Sequence, residues 1–219
     1  MSELDYTHSE FIIKLLKSHD AEICPIRKQF IDEETRYFKN HVRGGGVLVA
    51  GSGLGLEAKT LSNFNSYVLG IDNNPLLVSL SQAYISEPNV RFMLGDFTGL
   101  PIPDLEFDHA VLNYGTIGNF GSQDQKRIIK ELTRVARITH IDFYTLQGGL
   151  RLEMYRQEGW SGVQETRGAV ITADGGYSQT FQDSEFIDLV KLASEKSGIE
   201  LHPLDVSGIQ FGYMAKIYT

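Results

Sequence analysis

The sequence predicts an α/β protein: a mostly parallel, doubly wound, seven-stranded sheet that ends in an antiparallel hairpin, with a helical cap at residues 1–43. Three observations carry this reading. From residue 47 onward, short apolar runs of strand length alternate with amphipathic stretches of helical period, the mark of repeated strand–helix–strand units. The first apolar run opens into Gly51, Gly53 and Gly55. The last two runs, 199–206 and 209–218, are joined by Ser207-Gly208 alone, whereas a parallel return needs a dozen or more residues.

In chain order, residues 1–43 read as two helices. Phe11, Ile12, Leu15 and Leu16 form one apolar stripe, and Phe30, Ile31, Tyr37, Phe38 and Val42 form another. Gly44-Gly45-Gly46 ends the second helix, since three glycines cost too much backbone entropy to remain helical, and reads as a hinge to a domain at 44–219. Strands follow at 47–50, 66–71, 90–94, 107–112 and 138–145, short enough and apolar enough for burial on both faces. Asn74-Pro75 starts a helix, with Asn as N-cap and Pro at its first position. Lys126, Arg127, Lys130, Arg134 and Arg137 interleave with Ile128, Ile129, Leu132 and Val135 at helical spacing, so this basic run reads as the wet face of a helix. An insert at about 160–182 carries a hairpin around Asp174-Gly175-Gly176, and a helix at 184–196 precedes the terminal hairpin.

A chain of 219 residues suits one such domain and buries about 70% of its unfolded surface without staples. Cys24 is the only cysteine, which excludes an internal disulfide and a thiolate metal cluster; no metal site is expected. With no basic and apolar leader at its start and no run of about 20 apolar residues, the expected setting is cytoplasmic, without a membrane. The net charge of −8 opposes general binding to a phosphate backbone.

In an open α/β sheet, ligands sit beyond the C-terminal ends of the strands, where strand order reverses. The residues just after each strand are therefore the informative ones. Gly51-Ser52-Gly53-Leu54-Gly55 makes a turn that lets a ligand approach bare backbone. Asp72, 21 positions after Gly51, with Asn73 beside it, is placed to accept hydrogen bonds from the vicinal hydroxyls of a ribose. Asp96 and Phe97 end the third strand, a carboxylate for an exocyclic amine next to a ring that covers a flat base. Together these describe a nucleoside ligand. The dinucleotide pattern has a glycine where this chain has Leu56, which disfavours a nicotinamide-dependent reductase.

The G-x-G-x-G spacing and the terminal hairpin resemble those of the class I, Rossmann-like S-adenosylmethionine-dependent methyltransferases, over residues 47 to about 218. The resemblance implies S-adenosylmethionine as cofactor and S-adenosylhomocysteine as product. It implies that Gly51, Gly53 and Gly55 line the methionine part, Asp72 takes the ribose and Asp96 the adenine amine. It also implies that Asn113-Tyr114-Gly115-Thr116 borders the transferred methyl. The family has an acidic residue two positions before the first glycine, where this chain has Val49; Ser52, Asn113 and Glu57 are the substitutes at hand. Methyl transfer depends largely on in-line positioning of the nucleophile, so no triad or metal is required. Tyr114 and Asn119 are the candidates to orient it, and the loop is not of the N-P-P-Y type. His41, His109 and His140 read as isolated and structural. Tyr6, Tyr37, Trp160 and Tyr177 are candidates to line the acceptor pocket, and Arg36, Arg151 and Arg167 to hold a carboxylate. The expected acceptor is a small molecule; the alternatives are a protein or RNA acceptor, or a nucleoside-binding domain without turnover.

Overall fold

The computed structural model describes residues 9–145, 148–166, 168–196 and 198–218. Its main sheet has seven strands in the order β3-β2-β1-β4-β5-β10-β9. These are β1 (Gly46–Ala50), β2 (Tyr67–Asp72), β3 (Val90–Leu94), β4 (Phe107–Leu112), β5 (Ala136–Tyr144), β9 (Ile199–Val206) and β10 (Ile209–Tyr218). All pair in parallel except β10, which lies antiparallel between β5 and β9. The hairpin expected from Ser207-Gly208 is present, and the order reverses between β1 and β4. Ligands of such sheets sit above that reversal.

Two apolar layers cover the sheet. On one face α5 (Ser122–Val135) and α7 (Asp183–Ser194) bury Ile128, Ile129, Leu132, Phe186 and Val190 against Ile141 and Phe143. Lys126, Arg127, Lys130 and Arg134 lie on α5, where Arg127 pairs with Asp124 and Arg134 with Asp104 and Glu131, whereas Arg137 falls in β5 and faces Asp108. On the other face α2 (Pro25–His41) and α3 (Leu56–Ser62) bury Phe30, Tyr37, Phe38, Ala58 and Leu61 with residues of β1, β9 and β10. Asn74 caps α4 (Pro75–Tyr84) as expected, its side chain accepting from the N–H groups of Leu76 and Leu77.

Two expectations need correction. The glycine run 44–46 is not a free hinge. Gly44 N–H donates to Phe64 O, Gly46 N–H donates to Asp108 Oδ2 at 2.9 Å, and a side chain on Gly45 would collide with Asp108. Gly45 serves close packing and Gly44 a left-handed φ of +90°, and Val42 and Val47 on either side of the run lie in one buried cluster. The histidines are not isolated either. His140 Nε2 lies 3.1 Å from His109 Nδ1, Tyr37 Oη meets His140 Nδ1 at 2.9 Å, and Tyr37 stacks on His41.

The insert is larger than its sequence suggested. It begins with α6 (Gly148–Gln157) and continues as a separate antiparallel sheet of β6 (Gln164–Thr166), β7 (Ala169–Ile171) and β8 (Tyr177–Gln179). Leu150, Leu152 and Met154 alternate with charged residues, which mimics a strand and hides the helical period. α1 (Ser9–Ser18) completes the described helices. Among the described residues no helix is long and apolar enough to cross a membrane.

Candidate active site

A cavity of about 250 Å³ opens at the C-terminal ends of β1, β2 and β4, where the strand order reverses. Its floor is the loop after β1. Gly51 and Gly53 both have positive φ, +64° and +52°, a conformation L side chains rarely adopt, so the backbone lies bare. Ser52 lines the cavity, is 2% exposed, and its Oγ has no hydrogen-bond partner. Asp72 ends β2 beside it. Its two oxygens accept from Gly53 N–H at 2.8 Å and Asn74 N–H at 2.9 Å, which fixes the glycine turn to the strand end. A carboxylate has about four acceptor positions, so Asp72 can accept further hydrogen bonds. Burial raises the Asp72 carboxyl above its ordinary value while the N–H groups of Asn74, Gly53 and Asn73 pull it back. Asn73 and Phe97 complete this side.

The roof comes from outside the sheet. Lys14, Leu15, Ser18 and His19 of α1 and its following turn face Trp160, Gly176 and Tyr177 of the insert across the cavity. Lys14 latches the two together: its ammonium pairs with Asp174 and lies 4.3 Å from the centre of the Trp160 ring. Beneath the roof, Arg27 of α2 donates from Nε to Glu158 at 2.7 Å, and the other Glu158 oxygen accepts from Trp160 Nε1 at 2.9 Å. A buried pair of this kind is costly to break, because the partner left behind is an uncompensated charge.

The loop after β4 forms the back wall. Tyr114 and Gly115 both take positive φ, +63° and +64°, an uncommon conformation for tyrosine that the surroundings must enforce. Two buried acids do so. Glu34 of α2 accepts from Tyr114 N–H at 3.1 Å, and Asp142 of β5 accepts from Gly115 N–H at 2.7 Å. Desolvation holds the Glu34 carboxyl well above its usual range, and the neighbouring Asp142 adds to this. Asp142 is itself pushed to about 7 by burial, against the pull of Gly115 N–H. Buried side by side, the two carboxyls both resist ionisation. Tyr114 Oη bonds to the Glu57 carboxyl and lies 3.0 Å from His19 Nε2. Desolvation pushes the Glu57 carboxyl up to about 8.

Of the residues chosen from sequence, Gly51, Ser52, Gly53, Asp72, Asn73, Phe97, Tyr114, Asn119, Trp160 and Tyr177 line this one cavity. Four do not. Gly55 is there for packing, because a Cβ at that position would come within 2.5 Å of the Phe92 ring. Asp96 is exposed outside the lining, its carboxylate turned to Thr98 N–H at 2.8 Å. Asn113 is buried below the wall, near Glu34 and Glu57, with its Nδ2 unpartnered. Tyr37 is buried in the histidine group, its hydroxyl spent on His140. Tyr6 lies outside the described residues, as does Arg167. Arg36 pairs with Glu33 on an exposed face, and Arg151 is fully buried over the Tyr144 ring, outside the lining.

The sequence reading missed His19, Arg27, Glu34, Asp142 and Glu158. Two of these carried a signal. Glu34 lies four residues from both Phe30 and Phe38, on the apolar stripe of its helix, and Asp142 sits inside an apolar central strand. Acids at such positions are almost never buried without a partner. His19, Arg27 and Glu158 carried none, since each sits among other polar residues.

Residues 47–138 match a family described as "Methyltransferase domain". No curated protein sequence matches the chain significantly. Solved structures of similar fold include the PH0226 protein from Pyrococcus horikoshii OT3, with 20% identity, a TM-score of 0.68, and coverage of 88% of this chain and 90% of that one. Magnesium protoporphyrin IX methyltransferase from Synechocystis PCC 6803, solved with bound SAH, has 14% identity and a TM-score of 0.68, covering 98% and 97% of the two chains. The amino pentose methyltransferase CalS10 from Micromonospora echinaspora, solved with SAM, has 14% identity and a TM-score of 0.59, covering 88% and 91%.

Proposed function

We propose that this chain, a class I methyltransferase by its fold and by the domain it carries, transfers the methyl group of S-adenosylmethionine to a small-molecule acceptor. One observation carries the reading. The bare glycine turn, the unpartnered Ser52 Oγ and the spare acceptor positions of Asp72 converge on one cavity at the sheet's reversal point. That donor and acceptor set fits a nucleoside with a polar tail. Asp72 would hold the ribose hydroxyls, Asn73 and Phe97 the base, and the backbone of Gly51 to Gly53 with Ser52 the methionine end. Asp96, which stands outside the lining, is given no contact in this reading. Glu57 supplies the carboxylate for the methionine ammonium that Val49 lacks, and an ammonium beside it favours the ionised form. The cofactor supplies a methyl on a sulfonium, a leaving group that needs no further activation.

The small acceptor is supported by the roof. A cavity closed above by α1 and the insert, and walled by Leu15, Tyr114, Tyr155, Trp160 and Tyr177, suits a compact apolar body better than a polymer chain. A nucleic acid would have to meet the basic face of α5, which is not part of this lining.

Calorimetry with S-adenosylhomocysteine and NAD tests the cofactor. S-Adenosylhomocysteine is expected to bind and NAD not to. Asp72→Ala is expected to weaken binding by about 1.5–3 kcal/mol, the usual loss for hydrogen bonds to a charged group. Binding of NAD in place of the sulfur nucleoside would refute the reading.

A further inference from the structure

Beside the proposed methyl-transfer site lies an unassigned chain of three ionisable side chains. His19 follows α1 and hangs from the roof into the cavity, its ring edge-on to Tyr114 at 5.5 Å. Its Nδ1 lies 2.9 Å from Leu15 O, an atom that can only accept, so Nδ1 carries the proton. Ser18 Oγ, 3.1 Å from the same nitrogen, donates its own proton to Leu15 O and is free to accept as well. The Nε2 lone pair therefore points at Tyr114 Oη, 3.0 Å away, and Tyr114 Oη also reaches Glu57. One phenolic proton cannot serve both neighbours. While Glu57 keeps its own proton, it donates to Tyr114 and Tyr114 donates to Nε2. When Glu57 ionises beside a bound ammonium, Tyr114 turns to the carboxylate and leaves the Nε2 lone pair without a donor.

We propose that His19 is the base of the reaction and that the acceptor is a neutral hydroxyl compound of ring size, whose O–H donates to His19 Nε2. The proposal rests on the methyl-transfer reading above. A hydroxyl oxygen is a poor nucleophile while it holds its proton, whereas a carboxylate arrives without one and needs no base. An oxygen lone pair forms the new O–C bond as the C–S bond breaks, its electron pair returns to sulfur, and the hydroxyl proton passes to Nε2. The walls agree with such an acceptor: Leu15, Tyr155, Trp160 and Tyr177 line the same cavity with largely apolar side chains. Burial and the nearby Arg27 of α2 keep His19 neutral, opposed by the Leu15 carbonyl and by Glu158 at the end of α6. The negative charge of Glu158 favours the imidazolium formed. Tyr114 and Glu57 face it from the β4 loop and α3.

The test has two arms on the full chain. Nitrogen NMR of the histidines, free and with S-adenosylhomocysteine, is expected to show His19 as the Nδ1–H tautomer titrating below 6.5. An Nε2–H tautomer, or titration above 6.5, overturns the proposal without needing any variant. In the second arm, labelled methyl transfer from S-adenosylmethionine is measured to phenol, benzylamine and benzoate. Phenol is expected to be labelled. His19→Gln should lower that rate by about 10²–10⁴-fold, the usual share of a general base, while its S-adenosylhomocysteine affinity stays within about twofold. The acid limb of the wild-type pH profile should vanish in the variant. Normal turnover by His19→Gln, labelling of benzoate or benzylamine but not phenol, or labelling of none of the three, each overturns the proposal. Failure of the wild type to bind S-adenosylhomocysteine would instead remove the methyl-transfer reading on which it rests.

Discussion

The two faces of β5 meet opposite chemistry. Toward α5 and α7 the strand presents Ile141 and Phe143, and Phe143 stacks on Phe186 at 4.1 Å. Toward α2 it presents His140, Asp142 and Tyr144, which pair in reverse order with Tyr37, Glu34 and Arg27. The first face is a non-directional apolar layer whose contribution scales with buried area. The second is a ladder of directed contacts in which every buried group needs a specific partner. The ladder also reaches beyond the strand. Asp142 and Glu34 fix the backbone of Tyr114 and Gly115, and Tyr144 Oη donates to Tyr114 O at 3.0 Å. One side of the strand therefore holds the fold together, and the other sets the position of the cavity wall.

Replacing one residue from each side separates these roles. The largest loss of stability is expected for Phe186→Ala, about 3–5 kcal/mol in denaturant unfolding, as for other buried phenylalanines. Its remaining folded protein should bind S-adenosylhomocysteine normally. Glu34→Ala leaves Asp142 and the Tyr114 N–H without their partner and should cost less, about 1–3 kcal/mol. It should nevertheless weaken S-adenosylhomocysteine binding, because Glu57 is held through Tyr114. If both variants lose stability and neither loses affinity, the division between the faces is wrong.

The effect whose sign is sharpest is in pH. The Asp142 carboxyl is raised from 3.8 to about 7 in the folded chain, so its contribution is fully present below about 3.8 and is lost as pH rises through 7. Asp142→Asn lacks this titration. The stability of the wild type relative to Asp142→Asn should therefore fall between pH 4 and 7, by about 4 kcal/mol at most. His140 acts in the opposite sense. Burial, then its neighbour His109, holds it well below 6.5, so its contribution is present above 6.5 and is lost on acidification. Urea unfolding of both proteins across this range checks the sign, and a flat difference would exclude an Asp142 carboxyl that resists ionisation.

This contrast also explains what could be read from sequence. The strands, the terminal hairpin and the glycine turn follow from period and backbone permissiveness, which are local properties. So does Asp72, whose place after β2 is set by chain position. The polar ladder pairs residues more than a hundred positions apart, such as Glu34 with Asp142, and no local pattern announces which acid meets which. Asp96 falls outside the lining because the turn after β3 directs one of its oxygens to Thr98 N–H, a choice made by loop geometry. Tyr37 was misassigned because an aromatic on an apolar helix face reads alike whether it lines a cavity or a core.

The packing of α2 has a consequence for synthesis. Phe30 is buried against Phe211 and Tyr144, and Gln29 accepts from Ser207 N–H at 3.0 Å, so this helix is made well before its cover. Phe30 and Leu204 of the same cluster are separated by 174 positions. At about 5–20 residues per second, the apolar side of α2 waits roughly 10–35 s on the ribosome before its partners exist. During that interval the nascent chain presents a sticky amphipathic helix. Holding chaperones that reach the exit tunnel early would have their target there.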